Sequence, residues 1–212
     1  MLQFYLPLRD YIEINGKEYG INSYFNVLLK VIDVLQSDQF DEADKLVIAS
    51  VFMFGEPNLR EKYPDDSSAE RIGKEWERLG FNSLDPALIA EAIEKVFELY
   101  GGQNFEGQVY DITGEPMPKE MLKTSGSDEK LIDYNQDSDA IYASFMQVYN
   151  IDLIEQQNKL HYAKFKALLD NLPSDCAVGR LVEIRSWSEE NDNRDRKDIM
   201  RELKAKNKLK GG

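Results

Sequence analysis

Apolar positions near the amino terminus change period from two to helical spacing. From Tyr11 to Ile21 they alternate, with Ile12 and Ile14 before Asn15-Gly16 and Tyr19 and Ile21 after it. Asn-Gly is the dipeptide of a two-residue type I′ turn, because both turn positions need positive φ. The turn predicts a β-hairpin in which Ile14 faces Lys17 and Ile12 faces Tyr19. Ile12, Ile14, Tyr19 and Ile21 then share one face. An isolated hairpin is marginal in water, so that face is expected to lie on helices.

From Tyr24 the alternation gives way to helical spacing. Nine of the thirteen residues from Tyr24 to Gln36 are apolar, with Ser23 or Asn22 as the expected N-cap. In a helix buried on one side only about half the residues are apolar. The surplus is two or three large side chains, each contributing about 1.5–3 kcal/mol when fully buried. Leaving them wet would forfeit several kcal/mol, so this helix is expected to be covered on more than one side. The stretch DEADKLVIASVFMF, Asp41 to Phe54, has the same character and is expected to be its antiparallel neighbour, ended by Gly55 and Pro57.

More polar helices follow. One is predicted from about Ala69 to Leu79 with Gly80 past its end. The next has Asp85 at the N-cap, Pro86 at the first helical position and Gly101 as a stop. Residues 102–130 hold glycines, prolines and serines with no sustained period, and read as a flexible linker or long loop. Three further helices are expected at about Asp139–Tyr149, Lys159–Asn171 and Cys176–Ser186, the last capped by Ser174 or Asp175. A charged helical segment closes the chain, with only Ile199, Met200 and Leu203 as an apolar stripe. The reading is mainly α with a small amino-terminal β-hairpin. Its parts are 1–101 (hairpin plus helices), 102–130 (linker), 131–187 (helical core) and 188–212 (charged tail).

Composition narrows the possible chemistry. The single cysteine, Cys176, excludes an internal disulfide and any zinc site built on several thiolates. No apolar run approaches the roughly 20 residues of a membrane span, and MLQFYLPLRDY is broken too early for a secretory signal. The protein is expected to be soluble and intracellular, with no membrane partner. The net charge of −13 disfavours nucleic acid, whose phosphates need lysine and arginine. The tail from Ile199 to Gly212 is the exception, with Arg201, Lys204, Lys206, Lys208 and Lys210 against Glu202 alone. Such a run is solvated, folds back on the acidic body or holds an acidic partner.

One stretch raises metal chemistry. In DYNQDSDAIYASF, Asp133, Asn135, Asp137 and Asp139 fall at every second position, as oxygen ligands do in a calcium loop. Counted as an EF-hand from Asp133, position six should be glycine but is Ser138, and position twelve should be glutamate but is Ser144. The other reading is a helix entry capped by Asp137 or Ser138, with Asp139 in the first turn facing the positive helix end. His161 is the only histidine and sits at helical spacing in KLHYAKFKALL, which suits packing or hydrogen bonding better than a catalytic triad. Cys176 at a helix start reads as a small buried residue. No phosphate-binding glycine loop occurs, and no feature calls for a cofactor or an enzyme. Large apolar and aromatic side chains remain as core or as a partner-binding surface. They are Leu28, Leu29, Val31, Phe52, Phe54, Tyr142, Phe145, His161, Tyr162, Phe165 and Trp187.

From Asp133 to Trp187 the chain resembles a known family. An acidic lead into IYASF (Asp137–Phe145), a YxIDL turn (Tyr149–Leu153), an LHxxKFKALLxxLP helix (Leu160–Pro173) and an IRS segment (Ile184–Ser186) occur in that order. They resemble the bacteriophage gene product fifteen family, found in the tail-assembly region of phages and prophages of Gram-positive bacteria. One departure is that Tyr162 is followed by Ala163 where the family often has a second aromatic. The resemblance implies a tail assembly chaperone that binds the tape-measure protein, and possibly other tail proteins, in the host cytoplasm. It also implies absence from the mature virion and no catalytic residues, while the surplus apolar surface of the two amino-terminal helices marks an interaction site or a homo-oligomer interface. A structural tail component or tail-completion protein is the alternative, and a calcium-binding module on Asp133, Asn135, Asp137 and Asp139 a further one.

Overall fold

The computed structural model describes residues 10–100, 131–189 and 194–209. The expected linker at 102–130 and the expected stop at Gly101 lie outside the described residues. The fold is mainly α with one small antiparallel hairpin, β1 (Tyr11–Ile14) and β2 (Lys17–Gly20). Two compact units form. The first joins Met1–Asn104 to Ile154–Leu168, and the second joins Phe105–Leu153 to Leu169–Gly212. The single core expected over 131–187 is therefore divided, because 154–168 packs with the amino-terminal residues.

In the first unit the hairpin has the expected register, Ile14 opposite Lys17 and Ile12 opposite Tyr19. Asn15 and Gly16 take φ of 51° and 77°, the positive values that a type I′ turn demands. Ile12, Ile14, Tyr19 and Ile21 are all buried. The hairpin packs on α5, and the Tyr19 ring lies 5.0 Å from Phe81 while its hydroxyl donates to the Leu79 carbonyl.

Helix α1 spans Phe25–Gln36 and α2 spans Glu42–Phe54. The cap of α1 is Tyr24, not Ser23 or Asn22, and no side chain caps it. The returning chain supplies the partners instead. Tyr24 and His161 form an antiparallel bridge, Phe25 N–H donates to the Leu160 carbonyl at 3.0 Å, and Tyr162 N–H donates to the Ser23 carbonyl at 2.7 Å. Backbone pairing thus satisfies the orphan groups that a serine side chain was expected to serve. Asn22 works at the other end of α2, its amide donating to the Phe52 and Gly55 carbonyls at 2.8 and 2.7 Å. Asp41 caps α2 as its position implies.

After the short α3 (Leu59–Lys62), α4 (Ser68–Leu79) opens on a capping box of Ser67 and Glu70 and ends at Gly80. A 3-10 turn at Phe81–Ser83 leads to α5 (Pro86–Leu99), capped by Asp85. Helix α2 packs on α1, α4 and α5, and Phe25 of α1 stacks on Phe165 at 4.9 Å. Part of the apolar surface of α1 and α2 is thereby covered, since Leu28, Val31, Val51, Met53 and Phe54 are buried, while Leu35 and Leu46 are half-buried.

In the second unit α6 (Ser138–Tyr149) packs on α8 (Ala177–Ser186), which packs on α9 (Arg194–Lys206). Helix α7 (Tyr162–Asp170) contributes its first seven residues to the first unit and its last two to the second. The cap of α8 is Cys176, not Ser174 or Asp175. Its Sγ accepts from Gly179 N–H at 3.4 Å, and the buried Ser144 hydroxyl accepts from Val178 N–H at 3.0 Å. The tail helix is tied to its own unit, since Met200 is buried and Lys204 donates to the Trp187 carbonyl.

Candidate interaction surfaces and buried polar centres

The expected partner-binding residues lie mostly in the core. Leu28, Val31, Phe54, Phe145, His161, Tyr162 and Phe165 are buried, whereas Leu29, Phe52, Tyr142 and Trp187 are partly so. Apolarity at helical spacing marked them, but it cannot separate core from interface, and here the chain covers most of them itself. Tyr142 donates to Asp152 at 3.2 Å, and Phe52 lines a cleft with the Lys30 ammonium 3.9 Å above its ring.

The acidic run ahead of α6 is a structural centre. Asp137 holds the cap position, yet its side chain makes no capping bond. Its two oxygens instead accept from Arg185, Nη1 at 2.6 Å and Nη2 at 2.7 Å, in a fork buried on both sides. The guanidinium also donates to the Leu131 and Asn207 carbonyls, and Asp133 N–H donates to Asp137. Asp133 turns back on its own chain, one oxygen accepting from Asn135 N–H and Gln136 N–H. A calcium ion in this loop would have to share Asp137 with a guanidinium that already takes both its oxygens. Charge repulsion and lost hydrogen bonds oppose that arrangement. Ser138, the other expected cap, is exposed.

The first unit has a second buried charge that sequence spacing does not mark. Glu75 of α4 is fully buried. Arg78 donates to both its oxygens at 2.6 and 2.9 Å, Glu56 N–H at 2.8 Å and Lys62 at 3.1 Å. Burial alone would raise its carboxyl, but the bonds from Arg78, the Glu56 backbone and Lys62 more than reverse this and hold it at about 2. In sequence Glu75 is one glutamate among several on a polar helix, and only Arg78, three residues on, hinted at a partner.

His161 stands where the returning chain meets α1. Its Nδ1 accepts from Ala163 N–H at 3.0 Å, which leaves the proton on Nε2 to donate to Asp10 at 3.1 Å. Burial lowers its pKa below the ordinary value, against the opposing pull of Asp10. Both ring nitrogens are engaged and Tyr100 packs edge-on at 4.7 Å, so the histidine acts as a clasp.

Two openings mark the surface of the first unit. One is a mixed polar cleft of about 610 Å³ involving Asn22, Asn26, Lys30, Phe52, Arg60 and Arg71. The other is an apolar groove of about 510 Å³ between α1, α2 and α5, floored by Leu35, Leu46, Ala90, Ile93 and Phe97. Among the described residues no cluster of three or more metal-ligating side chains occurs, and no helix is long and apolar enough to cross a membrane.

A family model described as Bacteriophage Gp15 protein matches residues 7–209, nearly the whole chain. No curated protein matches, and no solved structure matches.

Proposed function

The chain belongs to the bacteriophage Gp15 family, and from that membership we propose that it is a tail assembly chaperone. In this reading it holds the tape-measure protein by non-covalent contacts while the tail is built. It works in the host cytoplasm and is left behind by the finished particle. The family match over residues 7–209 is the observation that carries the reading. The fold is compatible with it, since an open apolar groove flanked by helices suits a helical client.

In this reading the activity is binding. Four of the described side chains with the chemistry for catalysis have structural contacts, which is compatible with a binding role. His161 uses both nitrogens, Cys176 is buried as a helix cap, and Glu75 and Asp137 are held by arginines.

The test pairs two measurements. Full-length protein co-expressed with a tape-measure fragment should retain that fragment on purification. Mass spectrometry of intact particles should lack the chain. Stoichiometric presence in particles would make it a structural tail component. Failure to retain any tape-measure fragment would remove the chaperone reading.

A further inference from the structure

The apolar groove of the first unit has a shape and charge that select its occupant. Its floor is a stripe on α5, with Ala87, Ala90, Ile93 and Phe97 spaced by three and four residues, faced by Leu35 of α1 and Leu46 of α2. Ala87 and Ala90 are exposed although they lie on this apolar floor, and Phe97 is half-buried. Two alanines one turn apart leave room for another helix to approach closely. A row repeating at three and four residues matches the row on a second helix.

The groove walls are acidic. On α5 Glu91, Glu94 and Glu98 stand against Lys95 alone, which is paired with Glu91. At the start of α2 Asp41, Glu42 and Asp44 stand against Lys45, whose ammonium is paired with Glu42 at 2.8 Å. Each wall therefore carries net negative charge; of the groove's own lining, Glu42 is matched by Lys45, and Glu94 is left as its net charge. An acidic helix would meet like charge on both sides, whereas a basic-flanked one would be drawn in.

We propose that this groove docks an amphipathic helix of a partner protein, with its apolar stripe on Ala87, Ala90 and Phe97 and lysine or arginine flanks beside Glu94 and Glu42. The chemistry of the occupant follows from the groove. Its identity as a tape-measure segment rests on the proposed function.

The test uses the full chain and two designed helical peptides that share a leucine stripe, one flanked by lysine and one by glutamate. Fluorescence anisotropy should show the lysine peptide binding at least about tenfold more tightly, with the difference shrinking in high salt. Ala90→Glu puts a carboxylate on the floor at an exposed position, where folding should be unaffected, and should weaken lysine-peptide binding by about tenfold or more. Glu94→Lys should narrow the preference between the peptides. Equal binding to wild type and Ala90→Glu, or a preference for the glutamate peptide, overturns the proposal.

Co-purification separates this inference from the chaperone reading. A tape-measure fragment retained by wild type but lost by Ala90→Glu supports both. Retention by both proteins overturns the groove and leaves the chaperone reading standing. If the lysine peptide binds but no fragment is retained, the groove stands and the chaperone reading falls. Self-association that Ala90→Glu abolishes would make the occupant a second copy and overturn the assignment to a partner.

Discussion

Replacing Glu75 with glutamine tests whether the buried carboxylate of α4 holds the first unit together. A fall in its pKa from 4.5 to about 2, at about 1.4 kcal/mol per unit, corresponds to about 3 kcal/mol favouring the folded state. The Arg78 and Lys62 side chains are 43% and 32% exposed, so water weakens their share, and about 2 kcal/mol is the working expectation for the loss near neutral pH. Glutamine keeps the volume but offers one acceptor oxygen where five donors converge, from Arg78 twice, Lys62, Tyr63 and the Glu56 backbone, so its amide group meets Arg78 donor to donor.

The pH dependence gives a sharper test, and its sign is fixed. A carboxyl with a depressed folded pKa contributes its full stability above the unfolded value and loses it as pH falls through the folded one. The gap between wild type and Glu75→Gln should be constant above about pH 5 and close as pH falls from about 4.5 towards 2. Other carboxylates are common to both proteins and drop out of the difference. Urea unfolding followed by Trp76, which lies next in sequence to Glu75 and 5.3 Å from Phe81, reads this unit directly in a Trp187→Phe background. A loss below about 0.5 kcal/mol near neutral pH, the range of ordinary surface changes, would refute the reasoning. So would a gap unchanged down to pH 2.5.

Three further substitutions probe other contacts. Arg185→Met strands the buried Asp137 and should cost about 3–5 kcal/mol in urea unfolding. Arg185→Lys should cost less, and removing both charges in Asp137→Leu/Arg185→Met should recover much of the loss; a double variant no better than the single would contradict this account. Gly179→Ala would place a Cβ 2.5 Å from the Pro173 carbonyl oxygen and 2.6 Å from Ser174 backbone atoms, and should cost about 1–3 kcal/mol; an unchanged melting temperature would show that the turn yields freely. His161 has a lowered pKa because it is buried, so its contribution is full above its ordinary value of 6.5 and shrinks as pH falls below it. His161→Gln should flatten stability between about pH 7 and pH 5, and identical slopes would refute the assignment.

Local signals were legible in the sequence. Asn15-Gly16 set the hairpin and its register, and Asp41 and Asp85 marked two helix starts. Features that depend on distant chain were not. Asp137 had the local appearance of a cap, but its partner Arg185 lies in the IRS segment, and no local pattern joins them. The α1 cap failed for the same reason, because Leu160 and Tyr162 supply the backbone partners that Ser23 was expected to replace. The partner-binding candidates were chosen for apolarity, and burial reassigned most of them to the core. The groove was missed because its floor depends on Ala87 and Ala90, whose importance is the space they leave.

The return of the chain also decides how binding must be measured. Residues 154–168 complete the first unit: Tyr162 and Phe165 are buried there, and Phe165 stacks on Phe25. A fragment ending near Asn104 would lack both aromatics and the backbone partners of Ser23 and Phe25. At about 1.5–3 kcal/mol per buried large side chain, that loss is a sizeable part of the 5–15 kcal/mol that holds a typical domain together. The uncovered Phe25 would also create an apolar patch that the full chain lacks. Such a fragment would retain a hydrophobic helical client without any specific groove. Binding by the full chain that Ala90→Glu abolishes is therefore stronger support for the groove than binding by any amino-terminal fragment, because the substitution alters the floor and leaves the core closed.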